Sequence, residues 1–153
     1  AVTMQLDLQV VVSDPELPAA KDFEQWTRAA LSIAEHPGGE LTLRVVSEEE
    51  MSSFNLRFCG HHGSTNVLSF PVDDPPGITT GILGDILVCP AVLRREVAGS
   101  ETPLAAHWAH MVVHGVLHLC GYDHQSECDA GVMEGLESDV LQGFGFTNPY
   151  RVS

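Results

Sequence analysis

The stretch His114-Gly-Val-Leu-His118-Leu-Cys-Gly121-Tyr-Asp-His124 is the part of the sequence around which the rest of the chain is arranged. Its first five residues lie within an apolar run, residues 104–120, which has helical length and contains no proline. His114 and His118 are four residues apart, so on a helix they lie on one face, one turn from each other. Gly121 can adopt a positive φ and end the helix, so that a short turn can bring His124 back toward that face.

Three imidazoles from one helix and the turn after it predict a metal site. Catalytic zinc is typically held by three protein ligands in a tetrahedral arrangement, with the fourth position left for water. We therefore expect one Zn²⁺ on His114, His118 and His124. The alternative is a polar stripe on a buried helix with no ligand role, because His107 and His110 fall on the same face. His110 is expected to support a ligand or to fill the core.

The spacing H-x-x-x-H-x-x-G-x-x-H equals that of the metzincin zinc proteases. In those proteases a glutamate directly after the first histidine acts as the general base, and Gly115 stands there in this chain. Without that glutamate a metal-bound water lacks the group that deprotonates it for attack on an amide. The pattern thus indicates a hydrolytic metal site without the protease base, and a metal-dependent protease or amidase is kept as an alternative function.

Other residues near the histidines could in principle serve as ligands or catalysts. Asp123 could orient a ligand or accept a proton as a catalytic residue, or it could simply cap the turn. Cys120 lies about 200° around the helix from His118 and points away from the site. Cys128 follows closely, but three histidines already make a sufficient set for a catalytic zinc.

Length, charge and cysteine content limit the class of protein. A chain of 153 residues predicts one domain, residues 1–153, with a core of its own. The formal charge of −14, with only seven Lys and Arg, repels polyanions, so RNA binding would need a local basic patch or a metal. No apolar run is typical of a membrane span or a signal peptide. The four cysteines contain no CxxC pair, which favours reduced thiols and a cytoplasmic location.

Hydrophobic periodicity and turn residues predict the order β-α-β-α-β-β-α-α-α. The predicted strands are residues 4–12, 40–46, 66–70 and 84–89, and the predicted helices are residues 21–34, 48–58, 90–97, 104–120 and a last helix from 126. Residues 59–64, CGHHGS, are predicted to form a loop. This order predicts an α+β fold with a small mixed sheet of about four strands covered by helices. The apolar helix 104–120, which carries the histidines, should be buried at its centre.

Several motifs in the chain resemble those of one known family. They are HGVLHLCGYDH at 114–124, TNVLSFP at 65–71, LGDILVC at 83–89, AHWAHMVVHG at 106–115, ME-x-LE at 133–137 and NPY at 148–150. Together they resemble the YbeY family of bacterial endoribonucleases, whose histidine signature reads H-G-x-L-H-L-x-G-Y-D-H. The matches occur in family order and extend over nearly the whole chain.

The resemblance implies a single α+β domain with a metal, usually zinc, on His114, His118 and His124. It also implies a single-strand-specific, metal-dependent endoribonuclease of the bacterial cytoplasm. Members of the family act in 16S rRNA 3′-end maturation and in ribosome quality control. The implied partners are single-stranded ribosomal RNA and the ribosome or its small subunit, and we expect a monomer with no membrane association.

One segment departs from the family pattern. The family's arginine, which is thought to meet RNA phosphate, falls on Cys59, and its lysine and aspartate fall on His61 and His62. A neutral thiol cannot replace a guanidinium group as a phosphate ligand. Arg57 would point to the same side as Cys59 on an extended segment but not on a helix. Arg57, His61 and His62 are therefore candidate RNA-phosphate contacts, and ordinary loop residues are the alternative. A ribosome-associated binding protein with weakened catalysis is a further functional hypothesis.

Overall fold

The computed structural model describes residues 2–123 and 127–150 and confirms the predicted order of elements. The strands are β1 (Thr3–Val10), β2 (Gly38–Val45), β3 (Val67–Pro71) and β4 (Ile82–Val88), and the helices are α1 (Ala20–Ile33), α2 (Glu48–Cys59), α3 (Pro90–Val97), α4 (Leu104–Leu119) and α5 (Glu127–Gly143). The α+β class is confirmed. Within the described residues, no helix is long and apolar enough to cross a membrane.

The four strands form one mixed sheet in the order β1-β2-β4-β3. The pairs β1–β2 and β2–β4 are parallel, and β3 runs antiparallel to β4. A parallel pair requires a crossover connection, which α1 provides between β1 and β2. The order leaves β3 at one edge of the sheet, so among the described residues one side of its backbone is not bonded to another strand.

Each face of the sheet packs against different helices. Alternate residues of β2 and β4 point to the larger core, which α1, α4 and α5 complete. In that core Phe23 of α1 packs edge-on against Trp108 of α4, with ring centres 5.6 Å apart. Leu87 points to the opposite face, where it packs with Met51 of α2 and Val92 of α3 in a smaller core.

Helix α4 lies at the centre of the larger core, as its composition predicts. It contacts α1, α3, α5, β3 and β4, so apolar side chains around most of its circumference are buried. It ends at Leu119, and Gly121 follows with a φ of 99°. The predicted stop of the histidine helix at this glycine is confirmed.

Helix α2 is one residue longer than predicted. Its last residue is Cys59, and Gly60, with a φ of 71°, is the left-handed residue that ends it. The prediction that the loop begins at Cys59 was therefore wrong by one residue, because Gly60 sets the end of the helix. On this helix Arg57 and Cys59 lie about 200° apart, which rules out the extended arrangement that would have placed them on one side.

Candidate active site

A cavity of about 400 Å³ lies between the edge strand β3 and helix α4. Its walls are formed by β3 and the residue before it on one side and by two histidines of α4 on the other: Asn66, Val67, Leu68, Ser69, Pro71, His114 and His118. The edge position of β3 thus places strand backbone next to the predicted metal ligands. The cavity is the candidate active site.

The two histidines direct the same ring atom toward each other. His114 Nε2 and His118 Nε2 are 3.0 Å apart, and the ring planes are nearly perpendicular. Two nitrogen ligands of one tetrahedral zinc, each ~2.05 Å from the metal, are roughly 3.3 Å apart. The pair therefore fits the first two positions of the predicted zinc site.

The remaining part of the predicted site cannot be placed in the same way. His124 and the side chain of Cys128 lie outside the described residues, and Asp123 is half-buried directly before His124. Among the residues that the structure describes, no group of three or more His, Cys, Asp and Glu side chains could hold a metal. The three-histidine site and the catalytic role of Asp123 therefore stay predictions.

Glu137 of α5 is a functional candidate that the sequence analysis missed. Its side chain is fully buried, and its Oε1 lies 2.6 Å from His114 Nδ1. Its Oε2 accepts a 2.6 Å hydrogen bond from the Tyr150 hydroxyl and lies 3.6 Å from His110 Nε2. A usable signal was present in the sequence, because Glu137 is four residues after Met133 and four before Leu141, on the apolar face of the last helix.

The environment of Glu137 keeps it ionised. Burial by itself raises the pKa of a carboxyl group, but the neighbouring imidazoles of His110 and His114 and the hydroxyl of Tyr150 outweigh burial and lower the pKa of Glu137 to about 2. The same environment, burial first and then the Glu137 carboxylate, raises the pKa of the Tyr150 hydroxyl. Tyr150 thus stays protonated and can donate to the carboxylate at neutral pH.

Gly115 lies where α4 packs most closely against the sheet. A Cβ at this position would be 2.9 Å from Ile86 Cγ2 and 3.2 Å from Ser69 Oγ. Ser69 Oγ also donates a 3.1 Å hydrogen bond to the Gly115 carbonyl oxygen. The position that carries the general base in metzincin proteases therefore faces the sheet here, with no room for a glutamate.

Comparison with known proteins identifies the family. The model of a family described as Endoribonuclease YbeY matches residues 10–145. This chain belongs to the endoribonuclease YbeY family. As a member of that family of metal-dependent RNA phosphodiester hydrolases, it is an endoribonuclease.

A solved structure agrees with the fold. The solution structure of TM1509 from Thermotoga maritima matches with a TM-score of 0.58 and 21% sequence identity, over 95% of this chain and 99% of that chain. At this identity the similarity shows the fold alone. It confirms independently that the α+β arrangement is one that a natural protein adopts.

The segment that the sequence analysis predicts to depart from the family pattern lies at the end of α2. Cys59, which that prediction places at the family's arginine position, is exposed, and His61 and His62 are exposed after Gly60. The Arg57 guanidinium carbon lies 5.4 Å from the ring centre of Phe58. Neither these histidines nor Arg57 are among the described residues that line the cavity. Their contact with RNA phosphate stays a prediction.

Proposed function

We propose that this chain is a zinc-dependent, single-strand-specific endoribonuclease that acts in 16S rRNA 3′-end maturation and in ribosome quality control. The observation that carries the proposal is the pair of imidazole nitrogens, 3.0 Å apart, beside a cavity in a chain of this family. We place the protein in the bacterial cytoplasm, as a single domain and a monomer. Its proposed partners are single-stranded ribosomal RNA and the small ribosomal subunit.

In this proposal His114, His118 and His124 hold the zinc. When bound, zinc supplies a water with a pKa near 7 and polarises a phosphoryl oxygen. Asp123, next to His124, is the proposed proton acceptor. Metal-assisted hydrolysis also accounts for an RNA enzyme with so few basic residues, because the metal provides positive charge at the place where phosphate must bind.

The edge of β3 beside the cavity offers the means of holding a single strand. Cys89 N–H donates to the Asn66 oxygen, and Val72 N–H donates to the Leu83 oxygen, which sets the alternation of the antiparallel ladder. By that alternation Ser69, between them, directs its backbone N–H and C=O away from β4. An extended, unpaired RNA segment can use such groups, whereas the bases of a duplex already pair with each other.

The test is cleavage of an unstructured RNA by the purified protein. We expect cleavage that a chelator abolishes, that added zinc restores, and that is lost in His114→Ala. His107→Ala is the matched control, because its imidazole lies on the same helix but bonds Glu96, with an Nε2–Oε1 distance of 2.9 Å. Cleavage that survives both the chelator and His114→Ala would come from a contaminating nuclease and would contradict the proposal.

A second candidate is a ribosome-associated binding protein with weakened catalysis. The observation that favours it is the exposed Cys59 in the family's arginine position, with Arg57 on another side of the same helix. We expect Cys59→Arg to raise the cleavage rate if this candidate is correct. Robust cleavage that does not rise with the substitution would exclude it. The protease alternative has no comparable support, because Gly115 packs against the sheet.

A further inference from the structure

We propose that Glu137 is a positioning residue that fixes the proton of His114 on Nδ1 and so presents Nε2 to the cavity, with Tyr150 of the C-terminal turn holding Glu137 in place. This inference rests on the proposed metal site. It assigns a role to a buried carboxylate and to the C-terminal turn that neither the histidine signature nor the cavity explains.

The buried carboxylate of Glu137 needs hydrogen-bond partners. An ionised carboxylate removed from water costs several kcal/mol unless hydrogen bonds compensate for it. Glu137 is fully buried; its Oε1 lies 2.6 Å from His114 Nδ1, and its Oε2 accepts from the Tyr150 hydroxyl and lies 3.6 Å from His110 Nε2. Both oxygens of this carboxyl group have partners, and the histidine that contacts it most closely is His114.

The contact with Glu137 determines which ring nitrogen of His114 has the proton. An ionised carboxylate only accepts hydrogen bonds, so the 2.6 Å contact with Glu137 Oε1 places a proton on His114 Nδ1. In a neutral imidazole the lone pair is then on Nε2. That is the atom that lies 3.0 Å from His118 Nε2 at the cavity. A hydrogen bond from the second ring nitrogen to a carboxylate both orients a metal-binding histidine and increases its basicity.

The other oxygen of Glu137 is held by the C-terminal turn. The Tyr150 hydroxyl donates its one proton to Oε2 at 2.6 Å. His110 Nε2 lies 2.9 Å from the same hydroxyl oxygen, which can then only accept, so His110 Nε2 is the donor in that contact. The turn that carries Tyr150 is itself held, since Asn148 Oδ1 accepts from Tyr150 N at 2.8 Å and lies 2.9 Å from Ser138 Oγ. The C-terminal turn is thus hydrogen-bonded to α5 at Glu137 and at the adjacent Ser138.

The first experiment reads the tautomer of His114 directly in the metal-free wild-type protein. Nitrogen-15 NMR of the imidazole, at a pH about two units above the ordinary histidine pKa of ~6.5, should show a proton on Nδ1 and none on Nε2. Glu137→Gln should lose or weaken this preference. A proton on Nε2 of His114 in the wild type would overturn the inference, whether or not the protein cuts RNA.

The second experiment measures zinc affinity by competition with a chromogenic chelator, without RNA. Glu137→Gln should lower the affinity about 10- to 100-fold, and Tyr150→Phe should lower it by a smaller factor. Asp139→Asn is the matched control, because it removes the same charge from an exposed position of the same helix and should leave the affinity within about twofold. A folded Glu137→Gln variant with wild-type affinity would overturn the inference.

The two experiments separate this inference from the proposed function. If Glu137→Gln does not fold, the wild-type tautomer and the affinity of Tyr150→Phe decide, and an unchanged affinity in Tyr150→Phe overturns the role of the C-terminal turn. If the wild type has the expected tautomer and Glu137-dependent zinc affinity but cuts no RNA, the proposed function fails and the inference stands. If RNA is cut but the tautomer is the other one, the inference fails alone.

Discussion

Gly115 shows how a single residue limits both packing and chemistry. It lets α4 approach β4 and β3, and it removes the residue that an amide hydrolase of this histidine spacing would need. Neither effect depends on the metal. The absence of a side chain is thus the residue-scale argument against a metzincin-type amidase, whereas RNA as the substrate class rests on family membership.

The close contact at Gly115 can be tested by stability. Gly115→Ala should lower the free energy of unfolding by about 1–3 kcal/mol, because the added Cβ must displace the buried, β-branched Ile86. Urea-induced unfolding measures the change. Gly135→Ala is the matched control: nothing lies within 4 Å of its Cβ, so alanine in the middle of α5 should stabilise by about 0.5–1 kcal/mol. Equal stability of Gly115→Ala and wild type would contradict the close packing.

The cysteines should differ in reactivity. Burial raises the pKa of the Cys89 thiol above its ordinary value of 9.0, whereas Cys59 is exposed. The folded state disfavours the Cys89 thiolate, so the unfolded state loses its proton first. The protonated, buried Cys89 thiol therefore adds to the free energy of unfolding below pH 9.0. This contribution decreases as the pH rises above that value, because the unfolded chain gives up the proton more readily.

Alkylation kinetics read by peptide mass spectrometry measure this difference. We expect rapid labelling of Cys59 at pH 8 and labelling of Cys89 only after denaturant is added. Cys59→Ser provides the control that assigns the rapid phase. Labelling of Cys89 in the folded protein at the rate of Cys59 would show that Cys89 is not buried in the smaller core.

At the scale of elements, most boundaries follow from local chemistry. Helix α2 begins after Ser47, whose Oγ accepts a 3.2 Å hydrogen bond from Glu50 N, and it ends at Gly60. Serine is a residue type favoured at a helix N-cap, and glycine is favoured in the left-handed position that ends a helix. The exact end was missed by one residue, because Cys59 has no conformational preference strong enough to place it inside or outside the helix.

The N-cap of α2 provides an element-scale prediction. Ser47→Ala should lower the free energy of unfolding by about 1 kcal/mol, because the Glu50 N–H loses its acceptor. Ser53→Ala, at an exposed position within the same helix, should instead be neutral or stabilising by up to about 0.5 kcal/mol. Chemical unfolding of both variants makes the comparison. A Ser47→Ala variant as stable as Ser53→Ala would show that the cap contributes nothing.

At the scale of the whole molecule, negative charge dominates. The sequence has 21 Asp and Glu against seven Lys and Arg. Three of the arginines are in ion pairs with carboxylates: Arg44 with Glu50, Arg94 with Asp14, and Arg95 with Glu48. The described surface therefore has few cations to offer to RNA, and binding should depend on the metal and on a few local contacts.

This charge distribution predicts a weak salt dependence of RNA cleavage. Each phosphate contact on a single strand contributes roughly −0.7 to the slope of log kcat/KM against log salt concentration. If the predicted contacts Arg57, His61 and His62 are the only cationic ones, the slope should therefore be no steeper than about −2. Cleavage rates measured over a tenfold range of KCl, with zinc held constant, give the slope. A slope steeper than about −4 would show a basic interface that the described residues do not contain.

The sequence by itself determined the order of elements, the helix that carries His114 and His118, and the glycine that ends it. These features depend on hydrophobic periodicity and on residues with strong local preferences, which act within a few positions along the chain. The sequence motifs also sufficed to predict the family. The matching family model later confirmed that prediction.

Only the tertiary structure decided what surrounds the histidines. The edge position of β3, the contact of Glu137 with His114 across 23 positions of sequence, and the contact of Tyr150 with Glu137 across 13 have no local signature. Such contacts exist because α4 packs between β3 and α5, and packing depends on the shape of the whole core. The spacing of the histidines could predict a ligand set, but the groups that orient the ligands became visible only after the chain was folded.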